Sequence, residues 1–346
     1  MILLRCYPKV TDFFWSISGG AIDLRSIPVY SYGFFVACGF LVAAFVITHE
    51  LRRREQLGWM PALRWKGGAE EWTSELVGDF VIICAIFGIT GSSLFNFLES
   101  PSSYEDVIKH PSFGTIVGSL FSGLSVFGGM ICAGLALLIY SWRKKIRIPS
   151  LFDCLAYCFI LAVGIGRLGC QASGDGDWGI VNTAAKPAFI PQFLWSSTYA
   201  HNIANEGVGI PGCIEQHCQV LPMPVFPTPL YEFIECFIIF LILHFIRKGL
   251  TNKPGILFFV FAILIGIQRY SIEQIRSISD RQLYYVLGHG FKQAELISIG
   301  LIIAGIIGVI GLNNYYKKHP AIMPPALEPE PEPETEPDEQ DVSAGE

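Results

Sequence analysis

An arginine stands where a long apolar run ends. Arg167 follows the largely apolar run 151–165 and lies in the block Gly-Arg-Leu-Gly-Cys-Gln-Ala-Ser-Gly-Asp-Gly-Asp-Trp-Gly, residues 166–179. A guanidinium at the edge of hydrocarbon is costly to place without a partner. Its planar set of N–H donors suits a phosphate, such as that of a lipid headgroup. The alternative interpretation is that Arg167 only extends to the membrane–water interface, as isolated arginines often do.

The same block adds two carboxylates, Asp175 and Asp177, and it is rich in glycine. Glycine permits positive φ angles and lets a backbone come close to a ligand. The sequence therefore predicts that a cation, two acids and a close backbone approach meet at the end of one apolar helix.

A second group of charges ends another apolar run. Arg269, Glu273 and Arg276 are four and three residues apart, so they share one face of a helix. Further polar or glycine-rich positions fall at the corresponding ends of other apolar runs. These positions are Tyr30, Tyr32, Gly128, Gly129, Tyr231 and Glu232. A network of purely structural ion pairs is the alternative explanation, because ionisable residues inside membranes pair whether or not they have a function.

The composition predicts an integral membrane protein. Of the 346 residues, 51% are hydrophobic and 16% are charged, against roughly 25% charged in soluble domains. Apolar runs near the length that spans a bilayer predict an all-α polytopic protein with seven transmembrane helices. The predicted spans are 29–49, 76–97, 117–140, 150–170, 229–247, 254–275 and 294–314. The net charge of −6 comes mostly from the C-terminal tail, so it does not indicate nucleic-acid binding.

Basic residues orient these spans. Clusters of lysine and arginine follow the first, third, fifth and seventh spans, and the loops after the second and fourth are poor in them. The positive-inside rule then puts the N-terminus outside and the C-terminus in the cytoplasm. All the polar motifs described above fall at the outer ends of their helices in this topology. We therefore expect a single cleft near the outer leaflet.

The predicted organisation is a transmembrane domain, residues 1–317, followed by a disordered acidic, Pro/Glu-rich cytoplasmic tail, residues 318–346. The external segment 171–228 is predicted to form a small cap between the fourth and fifth spans, because loops of this length are usually functional. Cys213 and Cys218 share this segment, and their spacing leaves a disulfide open.

Several familiar kinds of site are missing from the sequence. It shows no Ser-His-Asp arrangement, no metal-binding motif and no nucleotide-binding loop. None of its seven histidines lies in a predicted span at the outer depth, so a histidine base is not apparent. A transporter or channel that uses the same cleft would need polar residues continuing inward, and only scattered ones are present.

The ordered set of motifs resembles the prolipoprotein diacylglyceryl transferases of bacterial membranes over about residues 28–315. That family carries Tyr-Gly in the first span, His-Gly-Gly in the third and Gly-Arg-x-Gly-Asn before Gly-Glu-x-x-Gly. It also carries His-Pro-x-x-Leu-Tyr-Glu before the fifth span and Arg-x-x-x-Glu-x-x-Arg in the sixth. The matching residues here are Tyr32-Gly33, Gly128-Gly129, Gly166–Gly169, Pro227–Glu232, Arg269, Glu273 and Arg276.

This chain departs from the family pattern at four positions. Cys170 stands for the asparagine, and either Asp175 or Asp177 stands for the glutamate, with one residue inserted. Phe127 and Phe226 stand where the family has histidines. Loss of the first histidine removes the group to which the family assigns an essential role in the reaction.

The resemblance implies an inner-membrane enzyme that needs no cofactor or metal. A diacylglyceryl group would move from phosphatidylglycerol to the lipobox cysteine of a preprolipoprotein signal peptide, and glycerol phosphate would leave. Arg167 and Arg269 would grip the phosphate, Glu273 and Arg276 would support them, and Tyr32 would position a substrate. Asp175 or Asp177 would accept the thiol proton. The remaining implied substrate-binding residues are Gly128, Gly129, Cys170, Tyr231 and Glu232. A non-catalytic lipid-binding relative and a transporter are the alternatives.

Overall fold

The structure is a computed structural model that describes residues 5–21, 27, 29–64, 70–99, 108, 112, 125–276, 283–286 and 289–319. Most of the regular structure in these residues is helical, as lipid requires of a chain that must satisfy its own backbone hydrogen bonds. The helices are α1 (Val10–Ile17), α2 (Ser31–Gln56), α3 (Val77–Glu99, after a 3₁₀ turn at Thr73–Leu76), α4 (Val126–Arg143), α5 (Ile148–Ser173), α6 (Gln192–Trp195), α7 (Thr228–Ile246), α8 (Ile256–Glu273) and α9 (Gln293–Lys318).

Three short antiparallel hairpins accompany the helices within these described ranges. They pair β1 (Leu63–Arg64) with β2 (Glu70–Glu71), β3 (Val208–Gly209) with β4 (Gln219–Val220), and β5 (Leu283–Val286) with β6 (His289–Lys292). The apolar periodicity of the sequence did not indicate these hairpins, nor did it indicate α1.

Six described helices are long and apolar enough to cross a membrane: α2, α3 with its 3₁₀ turn, α5, α7, α8 and α9. A shorter apolar helix, Gly128–Arg143, lies within α4. The chain is thus a mostly helical, polytopic membrane protein, which confirms the class predicted from composition. The predicted third span, 117–140, begins in residues 117–124, which lie outside the described part of the chain. The predicted tail from residue 320 onward lies outside it as well, so the predicted domain boundaries stay predictions.

Helix α5 occupies the centre of the bundle, between α2 and α7. A Cβ added at Gly39 of α2 would lie 3.0 Å from the carbonyl oxygen of Ala162, and one added at Gly164 would lie 2.9 Å from Cys236 Cβ of α7. Small residues at such crossings let helix backbones approach closely. This close packing holds the helix that carries Arg167 firmly between its neighbours.

A buried charge network joins the helices at the end of α5 opposite to Arg167. Arg54 of α2 is fully buried and pairs with Asp153 of α5 at 3.3 Å. The Asp153 carboxylate also accepts hydrogen bonds of 2.9 Å from the backbone N–H groups of Gly255 and Phe258 at the start of α8. A carboxylate at a helix N-terminus satisfies donors that the helix leaves unpaired. The network therefore ties α2, α5 and α8 together, so that they enter the bundle at set positions.

Residues 174–227 connect α5 to α7 and pack against the N-terminal segment. The backbone N–H of Cys6 donates to the carbonyl of Ala200 at 2.9 Å. Cys213 and Cys218, whose pairing the sequence left open, are joined by a disulfide. The segment is therefore a tethered unit rather than a long unsupported loop.

Candidate functional site

The end of α5 carries Arg167 and Cys170, and the chain turns sharply just beyond it. Gly174 ends the helix with a φ of 64°, and a Cβ at this position would lie 2.7 Å from Cys6 Sγ. A left-handed conformation in so crowded a place requires glycine. The turn brings the following residues back over the helix end, where Asp177 reaches Arg167.

Arg167 lies between two carboxylates. One terminal nitrogen contacts Asp177 Oδ2 at 2.5 Å, and Nε contacts Glu232 Oε2 of α7 at 2.5 Å. The Glu232 side chain is 3% exposed, so this pair is held away from water. Charge-assisted bonds in such surroundings are stronger than neutral ones. Arg167 therefore links α5, the loop after it and α7.

Asp177 holds a second arginine and is itself held through its backbone. Its other carboxylate oxygen pairs with Arg276, just beyond the end of α8. Its carbonyl accepts a 2.5 Å hydrogen bond from the hydroxyl of Thr228, the buried first residue of α7. Gly179 passes close by, and a Cβ there would lie 2.8 Å from the carbonyl oxygen of Ile275. The loop is thus inserted between the ends of α7 and α8.

Arg269 and Glu273 complete the arrangement from α8. Arg269 lies 3.0 Å from Glu273 Oε2, four residues along the helix, and 3.9 Å from Glu232 Oε1. Arg167 and Arg269 therefore lie on either side of the single Glu232 carboxylate, which places the two guanidiniums at the same level. A continuous chain of alternating charges results, and its members in order are Arg276, Asp177, Arg167, Glu232, Arg269 and Glu273.

Asp175 has different surroundings from Asp177. Its carboxyl group lies beside the Cys170 thiol, with the sulfur and a carboxyl oxygen within 4.8 Å of each other, and Cys170 Sγ lies 3.9 Å from Arg167. No described arginine forms an ion pair with Asp175, whereas two pair with Asp177. Burial raises the pKa of Asp175 above its usual range. A carboxyl group with a raised pKa beside a thiol is better suited to accepting a proton than an ordinary carboxylate.

Helix α2 brings Tyr32 to this end of α5. A Cβ at Gly169 would lie 3.2 Å from Tyr32 Cα, so the small residue allows the two helices to touch. The Tyr32 side chain is 46% exposed. Tyr32 thus lies at the rim of the charge chain, in a position open to an incoming molecule.

Three residues of the predicted site, Tyr231, Gly128 and Gly129, contact other parts of the protein rather than the charge chain. The Tyr231 hydroxyl donates to the carbonyl of Leu194 at 2.7 Å, toward the cap segment rather than the charge chain. Gly128 and Gly129 are buried against α3, where a Cβ at Gly128 would lie 2.2 Å from Phe95 Cβ. The described contacts of these glycines are helix-packing contacts, and their predicted role in donor binding stays a prediction.

Three potential metal ligands lie close together in the same region. The donor atoms of Cys170, Asp175 and Asp177 are within 4.8 Å of one another. However, Arg167 and Arg276 already occupy both carboxylate oxygens of Asp177. A divalent cation would have to bind beside two guanidiniums that already neutralise this carboxylate, so the charges favour an anionic ligand over a metal.

Sequence reasoning missed two supporting residues. Thr228 lies within a recognised motif, yet nothing in its residue type indicates that it holds Asp177. Tyr199 of the cap is 1% exposed, donates to Gln171 at 2.7 Å, and has its ring centroid 5.1 Å from that of Trp178. It supports both ends of the Asp175–Asp177 loop, and no local signal could have identified it.

Comparison with known proteins identifies the family of this chain. The model of the family described as prolipoprotein diacylglyceryl transferase matches residues 20–311. The chain is 25% identical over 299 residues to phosphatidylglycerol–prolipoprotein diacylglyceryl transferase 1 of Clostridium perfringens, covering 86% of this chain and 95% of that protein. It is 28% identical over 293 residues to the corresponding transferase of Bacillus cytotoxicus, covering 84% and 90% of the two chains. The resemblance inferred from the motifs is therefore confirmed: the chain belongs to the prolipoprotein diacylglyceryl transferase family.

Proposed function

We propose that the chain transfers the diacylglyceryl group of phosphatidylglycerol to the lipobox cysteine of preprolipoproteins and releases glycerol phosphate. Family membership supports the reaction class, and the names of the relatives include both substrates. The single observation that carries the proposal is the meeting of Arg167 and Arg269 on the buried Glu232 carboxylate. Such a pair of guanidiniums among apolar helices suits a lipid phosphate.

Arg167 and Arg269 hold the donor phosphate from two sides. A guanidinium has five N–H donors, so a carboxylate partner does not exhaust its capacity. Glu273 orients Arg269, and Arg276 supports Arg167 through their shared partner Asp177. The acceptor sulfur attacks the glycerol carbon next to the phosphate, and the carbon–oxygen bond breaks with its electrons going to oxygen. Negative charge then grows on the departing phosphate, where the arginines are already in place to stabilise it.

Asp175 accepts the proton of the acceptor thiol. Its carboxyl group already lies beside one thiol, that of Cys170, and burial raises its pKa, which makes it a stronger base. Asp177 instead positions Arg167 and Arg276. This assignment replaces the imidazole that the family pattern would supply, since Phe127 and Phe226 stand at its two histidine positions.

The proposed topology has seven membrane spans, with α4 as the third, and an external N-terminus. The basic residues that lie on the cytoplasmic side are Arg52, Arg53, Arg54, Arg64, Lys66, Arg143, Lys144, Lys145, Arg147, Arg247, Lys248, Lys253, Lys317 and Lys318. The charge chain then lies near the outer leaflet of the bacterial plasma membrane, beneath the cap. Donor lipid enters sideways between helices, because its acyl tails do not cross water.

The test uses the purified protein, phosphatidylglycerol labelled in its acyl chains and a peptide with a lipobox cysteine. We expect labelled thioether from the peptide and none from a serine version of it. Arg167→Ala should lower kcat/KM about 100-fold or more. The kcat/KM of Arg167→Lys should lie between that of the wild type and that of Arg167→Ala. Arg143→Ala, an exposed arginine at the far end of α4, is the control. A near-normal rate for Arg167→Ala rejects the proposal that Arg167 binds the donor phosphate.

A second candidate function is lipid binding without transfer. Phe127 and Phe226 favour it, because they remove the two imidazoles of the family pattern. It predicts that phosphatidylglycerol binds and is recovered unchanged after incubation with the acceptor peptide. It also predicts that this gene fails to replace the resident transferase in a depleted bacterial strain, whereas a transferase succeeds.

A further inference from the structure

A second carboxyl group lies deeper along α7 than the charge chain. Glu235 follows Glu232 by three residues, so the two share a helix face, and the rise between them is about 4.5 Å. Glu235 is half-buried. Its Oε2 atom is fully buried and has no hydrogen-bond partner among the described residues. None of the roles assigned above uses this group.

Gln268 of α8 lies beside the Glu235 carboxyl group and interacts with it. It is 8% exposed and immediately precedes Arg269. The Glu235–Gln268 pair therefore resembles the Glu232–Arg269 pair but lies further from the helix ends. An amide takes the place of the guanidinium. Deeper than the charge chain, the apolar helices α7 and α8 thus carry a polar pair in which one carboxyl oxygen has no hydrogen-bond partner among the described residues.

Unpaired polar atoms in such surroundings cost free energy unless a ligand meets them. A protonated carboxyl group offers a hydroxyl donor, and this donor needs an acceptor. The Gln268 amide carries two N–H donors, so an interaction with Glu235 leaves at least one of them for a ligand. The pair therefore offers donors to a neutral acceptor rather than a second site for an anion.

We propose that Glu235 and Gln268 form a subsite for the acyl-ester carbonyl oxygens of the donor lipid. The proposal rests on the proposed function, which places the phosphate between Arg167 and Arg269. In a phospholipid the ester groups lie a few bonds from the phosphate toward the acyl chains. A donor held at the Glu232–Arg269 level brings its ester carbonyls to the level of Glu235 and Gln268.

The ester groups take no part in the transfer, since the bond that breaks lies between the glycerol carbon and the phosphate oxygen. A diether phosphatidylglycerol with the same chain lengths is therefore an equally competent substrate chemically. Any preference for the diester lipid reports recognition of its carbonyl oxygens. We expect the wild-type protein to favour the diester by about two- to tenfold in kcat/KM, the range of one or two neutral hydrogen bonds.

The decisive variants are Glu235→Leu and Gln268→Met, which remove the donors while keeping an apolar side chain of comparable length. Each should lower kcat/KM for the diester lipid and leave kcat/KM for the diether lipid unchanged. The ratio of the two values should therefore approach one. Glu235→Gln keeps a donor and should keep most of the preference. It also serves as the conservative variant if Glu235→Leu does not fold. Gln274→Leu is the matched control just beyond the end of α8, because Gln274 is exposed and bonds to Glu295 instead.

Two results overturn the subsite. One is a wild-type protein that uses diester and diether lipids at equal rates. The other is a full diester preference in Glu235→Leu and Gln268→Met. Absence of thioether product from both lipids with the wild-type protein is a different outcome, because it rejects the proposed function itself. In that case binding of the two labelled lipids still tests the subsite, and equal affinity for both overturns it.

Discussion

Asp175 and Asp177 are two residues apart, yet their surroundings suit them to different tasks. Arg167 and Arg276 bind both oxygens of Asp177. Asp175 instead meets the Cys170 thiol, and burial raises its pKa. A carboxylate shared by two cations positions them, whereas a buried carboxyl group beside a thiol exchanges protons more readily. The sequence proposed both as bases, and their contacts favour Asp175.

At the residue scale, Asp175→Asn should lower kcat/KM about 100-fold or more, the usual contribution of a general base. Only the ionised carboxyl accepts a proton, so the wild-type rate should rise with pH through the raised pKa of Asp175. The variant should lose this rise. Asp177→Asn should keep the rise of the rate with pH and should raise KM for the donor lipid. An unchanged pH profile in Asp175→Asn contradicts the assignment.

The same shift predicts an effect on stability. Burial raises the pKa of Asp175, so its contribution to folding is fully present below the ordinary value of about 4 and is lost as pH rises through the raised value. Asp175→Asn should therefore raise the midpoint of thermal unfolding at neutral pH, and the difference should close toward about pH 4. Unfolding of both proteins in one detergent across this range measures it. A variant less stable than the wild type at neutral pH is the contrary result.

At the scale of elements, the start of α7 holds the loop that carries Asp177. Thr228→Val keeps the shape of the side chain but removes the hydrogen bond to the Asp177 carbonyl. A buried carbonyl left without its donor is unfavourable by about 1–3 kcal/mol, so the loop should shift and KM for the donor should rise about five- to tenfold. Thr228→Ser keeps the hydroxyl, and its KM for the donor should stay within about twofold of the wild-type value. Equal kinetics for the two variants reject a positioning role.

Packing between α3 and α4 offers a matched pair of glycines. A Cβ at Gly128 would lie 2.2 Å from Phe95 Cβ, whereas one at Gly134 meets nothing within 4 Å. Gly128→Ala should destabilise the protein by about 1–3 kcal/mol through overpacking, and Gly134→Ala should be close to neutral. Thermal unfolding in detergent measures both. Normal stability of Gly128→Ala with weakened donor binding would instead favour the role expected from the motif.

At the scale of the whole molecule, the proposed topology sets the compartment of the site. A reporter that fluoresces only in the cytoplasm should be active when fused after His319, and alkaline phosphatase should be active when inserted in the cap after Gly209. The reverse pattern puts the charge chain on the cytoplasmic side and contradicts the proposed route of the acceptor. The Cys213–Cys218 disulfide of the cap accords with an oxidising compartment.

The apolar runs, the charged residues at their ends and the order of the motifs were readable from the chain alone. Hydropathy is a property of neighbouring residues, and the membrane admits few alternatives to a helix for such runs, so the spanning helices and the family were predictable. The types of the site residues also indicated an anionic ligand, because guanidinium chemistry is the same wherever the fold places it.

The tertiary structure decided which charge meets which. The turn at Gly174, the close approach at Gly179 and the hydrogen bond from Thr228 bring Asp177 to Arg167 and Arg276 and leave Asp175 beside a thiol. It also placed Gly128 in a helix crossing and Glu235 opposite Gln268. These contacts join residues far apart in the chain, and each depends on how helices cross and loops close. Local composition does not specify such geometry, so only the folded protein separates a base from a positioning carboxylate.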